Sequence, residues 1–214
     1  MSQTYKYYYA SGACSMSMHV ALTELEIPFE GHMLNMATKE HKSPEFLAIN
    51  PLGWVPTLVT PSGVVINEGA AIMAYLADAH PSNWFPAPGA SDARAIALTW
   101  LSFANASMHS AYTRYFVLSG SEITGPALEA ATARIAMLWQ HVEKQLSQTT
   151  YICGETPTLP DLMLATMANW VNGGQTKPSV ISFGPNTQRM LKAITSRPAF
   201  QKVMAEEQVT YKAA

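Results

Sequence analysis

Cys14 stands in the stretch Ser11-Gly12-Ala13-Cys14-Ser15-Met16-Ser17-Met18-His19, among small residues, where an aromatic run gives way to helical spacing. A thiol at the start of a helix lies beside unpaired N–H groups and the positive end of the helix dipole. That setting predicts a depressed pKa and a reactive thiolate. Cys14-Ser15-Met16-Ser17 also has the spacing of a C-x-x-C redox pair with serine in the second position. Serine cannot resolve a disulfide, so the motif supports no dithiol cycle of its own; a second thiol must come from another molecule. The competing reading is a small apolar residue filling a tight turn. Ser15 also carries two readings: a hydroxyl that donates to a bound thiolate, or a plain helix cap.

Three other groups have chemistry-bearing residues. In Gly53-Trp54-Val55-Pro56 a proline opens a β-prone segment after a glycine turn. A cis bond before Pro56 would turn the Val55 backbone groups toward a peptide-like ligand, although few X-Pro bonds are cis. Asn67-Glu68-Gly69-Ala70 opens a helix. Gly69 permits close approach, the helix start suits a carboxylate, and Glu68 suits an ammonium group. Together they fit an amino-acid moiety; alone they read as a capping glutamate beside a flexible glycine. His109 lies mid-helix, where a lone histidine is usually a satisfied one. The six histidines show no spacing of metal-ligating type, so no metal is expected.

These residues need a frame. Residues 4–10 read as a strand, Cys14 to Leu25 as a helix, and part of 29–36 as a second strand. A short helix is expected before Pro51. "VPTLVT" and "VVIN" form a hairpin about Pro61-Ser62-Gly63, and "EGAAIMAYLADAH" is a helix. Residues 80–91 hold three prolines and a glycine in "HPSNWFPAPGAS" and read as a linker. Beyond it only helices are expected, over 91–118, 126–147, 159–171, 187–196 and 199–206, with 172–186 as loop. The fold class is therefore a small α/β domain followed by an all-α domain.

The chain has 214 residues, 48% hydrophobic and 13% charged, enough apolar material for a sizeable core. A net charge of −2 and no cationic cluster speak against nucleic acid or an anionic membrane as partner. No apolar run approaches a bilayer's span, and the first ten residues lack a signal peptide's pattern. A cytoplasmic protein with reduced Cys14 and Cys153 is expected.

Taken in order, "SGACSMSMHVAL", "FLAINPLGWVPTL", "NEGAAIMAYLAD", "MHSAY" and "YICGETPTLPDLMLA" resemble the cytosolic glutathione transferases, and among them the bacterial beta class. The resemblance implies a thioredoxin-like glutathione-binding domain over 1–80, a linker over 81–91, and an all-helical domain over 92–214 on the electrophile's side. It implies a homodimer, glutathione as co-substrate, and a cis proline at Pro56. The class cysteine falls on Cys14, where it contacts glutathione sulfur and can form a mixed disulfide, with Ser15 beside it. The acidic residue for the γ-glutamyl amine falls on Glu68, followed by Gly69. A class lysine for the glycyl end falls on Lys39, and the active-site histidine on His109. A structural capping box falls on Thr158 and Asp161. The sequence departs from the class at Trp54, where Gln or Lys is usual before Val-Pro, at Ser102, where an Asn can serve the neighbouring subunit's ligand, and at Ser110, where some members have Lys.

The function so implied is transfer of glutathione to small hydrophobic electrophiles, a detoxification chemistry, with Met108, Tyr112, Tyr115 and Phe116 offering the electrophile's contacts. Two alternatives stand beside it. One is glutathione-linked thiol–disulfide exchange at Cys14; the other is a ligand-binding protein on the same fold with little turnover.

Overall fold

The computed structural model of the chain describes residues 4–120, 125–172 and 181–213. They divide into two compact units: residues 4–82 with Pro198–Val209, and residues 83–197 with 210–213.

In the first unit the tyrosine run forms β1 (Tyr5–Tyr9), as suits aromatic side chains on a pleated, half-buried surface. Through α1 (Ser15–Glu24) the chain reaches β2 (Phe29–Met33), which pairs parallel with β1. A short 3-10 turn (Glu40–Lys42) and α2 (Pro44–Ile49) follow. Ser43 caps α2 by accepting from the Phe46 N–H, and Pro44 occupies its first turn. β3 (Thr57–Val59) pairs antiparallel with β1 and with β4 (Val65–Ile66). The sheet order is β2-β1-β3-β4, and α3 (Gly69–Ala79) comes next. The expected element order is the observed one.

Side chains alternate across β1. Tyr5 meets Tyr75 of α3, and Tyr9 lies over His19 of α1 with ring centres 4.7 Å apart. Tyr8 points the other way, stacked on His32 at 4.6 Å and tilted against Phe46 of α2. Tyr7, Met18, Leu22, Leu58, Ile72, Met73 and Leu76 are wholly buried between the sheet, α1 and α3. Each such aliphatic side chain contributes roughly 1.5–3 kcal/mol. α1 stops in a Schellman motif: Ile27 N–H donates to Leu22 O, Glu26 N–H to Thr23 O, and Glu26 takes φ 52.

The second unit is helical. α4 (Asp92–Ser102) opens at Ser91, whose hydroxyl accepts from the Arg94 N–H. A single helix is expected over 91–118. The structure instead widens it into a π turn, Phe103–Met108, before α5 (His109–Ser119). Such wide turns concentrate at functional sites. α6 (Pro126–Leu146) buries Ile135, Leu138, Trp139, Val142 and Leu146 along one face. α7 (Leu159–Asn172) and α8 (Pro185–Thr195) follow, α8 starting two residues before its expected position. Within the stretch 172–186, read from sequence as loop, residues 173–180 lie outside the described residues.

Carboxylates close two of these helix starts, Asp161 buried and Glu143 half-buried. Asp161 Oδ2 accepts from the N–H and the hydroxyl of Thr158, and Oδ1 from the Ile152 N–H. The acidic half of the capping box is thus present, while the Thr158 hydroxyl donates to Asp161 rather than accepting from the helix. Burial pushes the Asp161 carboxyl up to about 6 despite these donors. Glu143 of α6 accepts at the start of α8 from the N–H groups and side chains of Asn186 and Thr187.

α9 (Pro198–Glu206) packs against α1 and belongs to the first unit. Sequence alone placed it in one helical domain over 92–214. The difference has a polar cause: His19 of α1, buried, lies 2.9 Å from Glu207, which follows α9. Cys14 and Cys153 are both free thiols, and no helix among the described residues is long and apolar enough to cross a membrane.

Candidate active site

The turn between β1 and α1 sets the site. Gly12 takes φ 64, the left-handed region that favours glycine. Ala13 N–H donates to Ala10 O and Met16 N–H to Ala13 O, so the chain is already coiled under Cys14. Cys14 has helical dihedrals and sits at the N-cap of α1, half-buried. Its Sγ donates to the Val55 carbonyl across 3.7 Å, and the Val55–Pro56 bond is cis. The structure thereby brings Cys14, Val55 and buried Pro56 together.

The thiol differs from expectation. Burial pushes Cys14 up to about 11; the N–H groups of Ser15 and of Cys14 itself pull it down, and Glu68 pushes it up further. Desolvation of a thiolate outweighs a helix start that offers only two N–H groups. Glu68 is nevertheless near enough for its charge to act on Cys14. Its side chain is exposed at the N-cap of α3 and makes no capping bond there, which removes the bland reading of a capping glutamate. Gly69, buried, is the first residue of α3.

Ser15 also departs from its expected role. It is 0% exposed, its hydroxyl donates to Ala10 O at 3.2 Å and accepts from the Ala10 N–H at 3.1 Å. Its carbonyl accepts from the Tyr7 hydroxyl. A hydroxyl has one proton, and here Ala10 takes it. Ser15 fastens the helix to the strand, and its hydroxyl keeps no proton for a ligand thiolate. Ser17 is likewise buried, its hydroxyl bonded to Cys14 O.

Trp54 exposes 58% of its surface, while its carbonyl accepts from Asn50 Nδ2 and Thr57 Oγ1. Gly53 takes φ 61, and a Cβ there would lie 2.5 Å from His41 O. Lys39 is exposed and left-handed at φ 61. Sequence reasoning missed two neighbours. Lys42 Nζ donates to Leu52 O at 3.0 Å, placing a second cation beside the Trp54–Val55 loop. Asn50 is fully buried and binds Trp54 O, Thr57 Oγ1, the Leu52 N–H and Asn67 Nδ2. It joins the Val55 loop to the residue before Glu68, and only its place ahead of a proline marked it as a turn residue.

His109 belongs to the helical unit. It follows the π turn, half-buried, with its ring edge-on to Trp170 at 5.5 Å and Nδ1 3.4 Å from Thr113 Oγ1. Of the residues expected to face an electrophile, Met108, Tyr112 and Tyr115 are buried core. Tyr112 accepts from Trp139 Nε1 at 2.8 Å, so its hydroxyl is used internally. Phe116 remains half-exposed, and Ser102 and Ser110 are exposed.

Residues 12–79 match the glutathione S-transferase N-terminal domain and residues 125–176 the C-terminal domain. Glutathione S-transferase GstA of Escherichia coli O157:H7 is 31% identical over 166 residues, 77% of this chain and 81% of that protein. The chain belongs to the glutathione S-transferase family of enzymes. Glutathione S-transferase GST-4.5 of Xanthomonas campestris is 29% identical over 201 residues, 92% of this chain and 97% of its own. A sphingomonad glutathione S-transferase solved in complex with glutathione aligns with TM-score 0.82 and 28% identity, covering 96% of this chain and 100% of that one. A glutathione transferase from Methylococcus capsulatus aligns with the same TM-score, 0.82, and 28% identity over 96% and 99%.

Proposed function

We propose that the chain is a beta-class transferase that conjugates glutathione to small hydrophobic electrophiles, acting in the cytosol as a homodimer. Glutathione lies along the Val55 backbone. Its ammonium group pairs with Glu68, its γ-glutamyl carboxylate takes the N–H groups at the start of α3, and Lys39 and Lys42 supply positive charge for the glycyl end. Trp54 offers a ring face where the class has a polar side chain. Exposed Ile96 and Leu98 on α4 give the second subunit an apolar surface.

The observation that carries this reading is the placement of Cys14, at the start of α1 with its thiol on the Val55 carbonyl beside the cis Pro56. A thiol at about 11 is ionised to only roughly one part in ten thousand at neutral pH. It is therefore a donor, poised on the Val55 carbonyl, that can turn to a glutathione thiolate. The glutathione thiol gives its proton to solvent, its sulfur bonds to the electrophilic carbon, and the leaving group departs with the bonding pair. Cys14 and the helix N–H groups hold the thiolate.

The C-x-x-S spacing of Cys14 and Ser17 motivates a second reading, which requires the thiol to ionise. Cys14 would then itself attack a glutathionylated substrate, and free glutathione would resolve the mixed disulfide. Cys14→Ala separates the two. On the first reading, turnover of an aromatic halide falls on the order of a hundredfold, the effect of losing one donor to the reacting anion. If conjugation survives intact and only disulfide reduction disappears, Cys14 is a redox residue. Retention on immobilised glutathione without any turnover would leave a binding protein.

A further inference from the structure

Glu207 is buried and unused by the chemistry above. One carboxylate oxygen accepts from the Gly12 N–H at 2.9 Å, and the other lies 2.9 Å from His19 Nδ1. The Ser11 hydroxyl donates to the Glu207 backbone carbonyl at 2.5 Å. These bonds bracket Cys14 in sequence, with Ser11 and Gly12 before it and His19 after it. His19 Nε2 lies 3.3 Å from Glu206, so the imidazole is held between two carboxylates. Tyr7, Tyr9 and Phe29 enclose the ring.

The end of α9 is shaped for this contact. Gln208 takes φ 55, its N–H donates to Ala205 O, and Val209 N–H donates to Met204 O. That is a Schellman stop with glutamine at its left-handed position. It turns the chain so that Val209 packs over Gly12, where a Cβ would lie 3.4 Å from Val209 Cγ2. A backbone N–H and a histidine thus share one buried carboxyl group, which ties the turn and α1 to the end of α9.

We propose that Glu207 is a positioning residue for the thiol: from the far end of the chain it clamps the Ser11–Gly12 turn to α1 and so sets the shielding and aim of Cys14. The clamp deepens the proposed function, because a thiol that must stay protonated and aimed depends on a fixed turn.

The test is alkylation of the full chain by iodoacetamide, with Cys14 and Cys153 followed separately by peptide mass. Cys153 lies in the helical unit and serves as internal reference. In Glu207→Ala the Cys14 rate rises by roughly tenfold or more, as expected for losing a buried hydrogen bond, while Cys153 changes little. The pH profile of Cys14 shifts downward as the sulfur gains water. Glu207→Gln, whose amide oxygen can still accept from Gly12, restores most of the protection. Ser11→Ala, at an exposed residue, gives a smaller rise confined to Cys14 and carries the test if Glu207→Ala does not fold. An unchanged Cys14 rate overturns the proposal. So does a parallel rise at Cys153, which would mean general loosening, and so does a Gln variant as reactive as Ala. Retention on immobilised glutathione falls in Glu207→Ala. This arm alone rests on the glutathione reading: a wild-type chain that is not retained would sink that reading and leave the alkylation result standing.

Discussion

α8 and α1 each begin with N–H groups that have no partner inside the helix. At α8 the fold supplies an anion. Glu143 accepts from the N–H groups of Asn186 and Thr187 at 3.2 and 2.8 Å and from their side chains at 2.8 and 2.7 Å. Gly184 makes the approach possible, since a Cβ there would lie 2.3 Å from Glu143 Cδ. At α1 the residue in the corresponding place is a neutral thiol that rests on the Val55 carbonyl. Glu207, a buried carboxylate brought there from the far end of the chain, binds Gly12 instead, before the helix. An internal anion turns a helix start into a structural joint. A start without one keeps its field for an anion that arrives, which is how the proposed chemistry uses α1.

The largest expected effect tests the joint. Glu143→Ala leaves four donors at α8 without their acceptor and destabilises the chain by about 3 kcal/mol. Denaturant melts measure it, and Cys14 alkylation stays unchanged. The pH dependence follows from the carboxyl's direction. Burial alone would raise Glu143, but the donors on Thr187 and Asn186 outweigh it and the value is lowered. Its stabilisation is full above the ordinary glutamate range and is lost as pH falls through the lower folded value. Asp161 slopes the other way. At about 6 it holds a proton that the unfolded chain has already released, so stability declines as pH rises from the ordinary aspartate range to about 6. Melts from about pH 3 to 8 should show both limbs in the wild type. Glu143→Ala should keep only the Asp161 limb; persistence of the Glu143 limb in that variant would break the comparison.

A smaller effect asks which side chain at α1 does the work. Ser15→Ala removes both Ala10 bonds and costs about 1–2 kcal/mol of stability. Turnover in the surviving folded enzyme stays within about threefold, against the hundredfold loss for Cys14→Ala. The opposite pattern, with stability intact and turnover lost, would move the chemistry to Ser15 and end the contrast between a structural serine and a working thiol.

Much of this was legible because local rules agree with the fold. Aromatic, β-prone content marked β1, and prolines marked the breaks. The cis bond at Pro56 was implied by the family resemblance that the order of the motifs carries, and the structure has it, with Cys14 against Val55. What sequence could not carry was long-range burial. Nothing local says that the Ser15 hydroxyl turns inward to Ala10, that desolvation beats the helix start at Cys14, or that Tyr112 is core rather than binding surface. Periodicity is equally blind to a π turn, since one widened coil leaves the apolar spacing of 91–118 almost unchanged. α9 read correctly as a helix, but its partner was hidden, because the contact that places it joins residue 19 to residue 207.

The smallest effect separates the stability of α1 from the chemistry at its start. Glu26 holds a left-handed conformation at φ 52, which costs a residue with a Cβ about 1 kcal/mol and costs glycine almost nothing. It is exposed, and the Schellman bonds around it use only backbone groups, so Glu26→Gly keeps them. The variant should be more stable by up to about 1 kcal/mol, read as a shift of the denaturation midpoint at unchanged slope. Cys14 alkylation and its pH profile should not move, because neither Gly12 nor Val55 feels the far end of the helix. A changed Cys14 rate in Glu26→Gly would mean that α1 responds as one body to its own stability, and the thiol's shielding could then no longer be assigned to the turn that Glu207 holds.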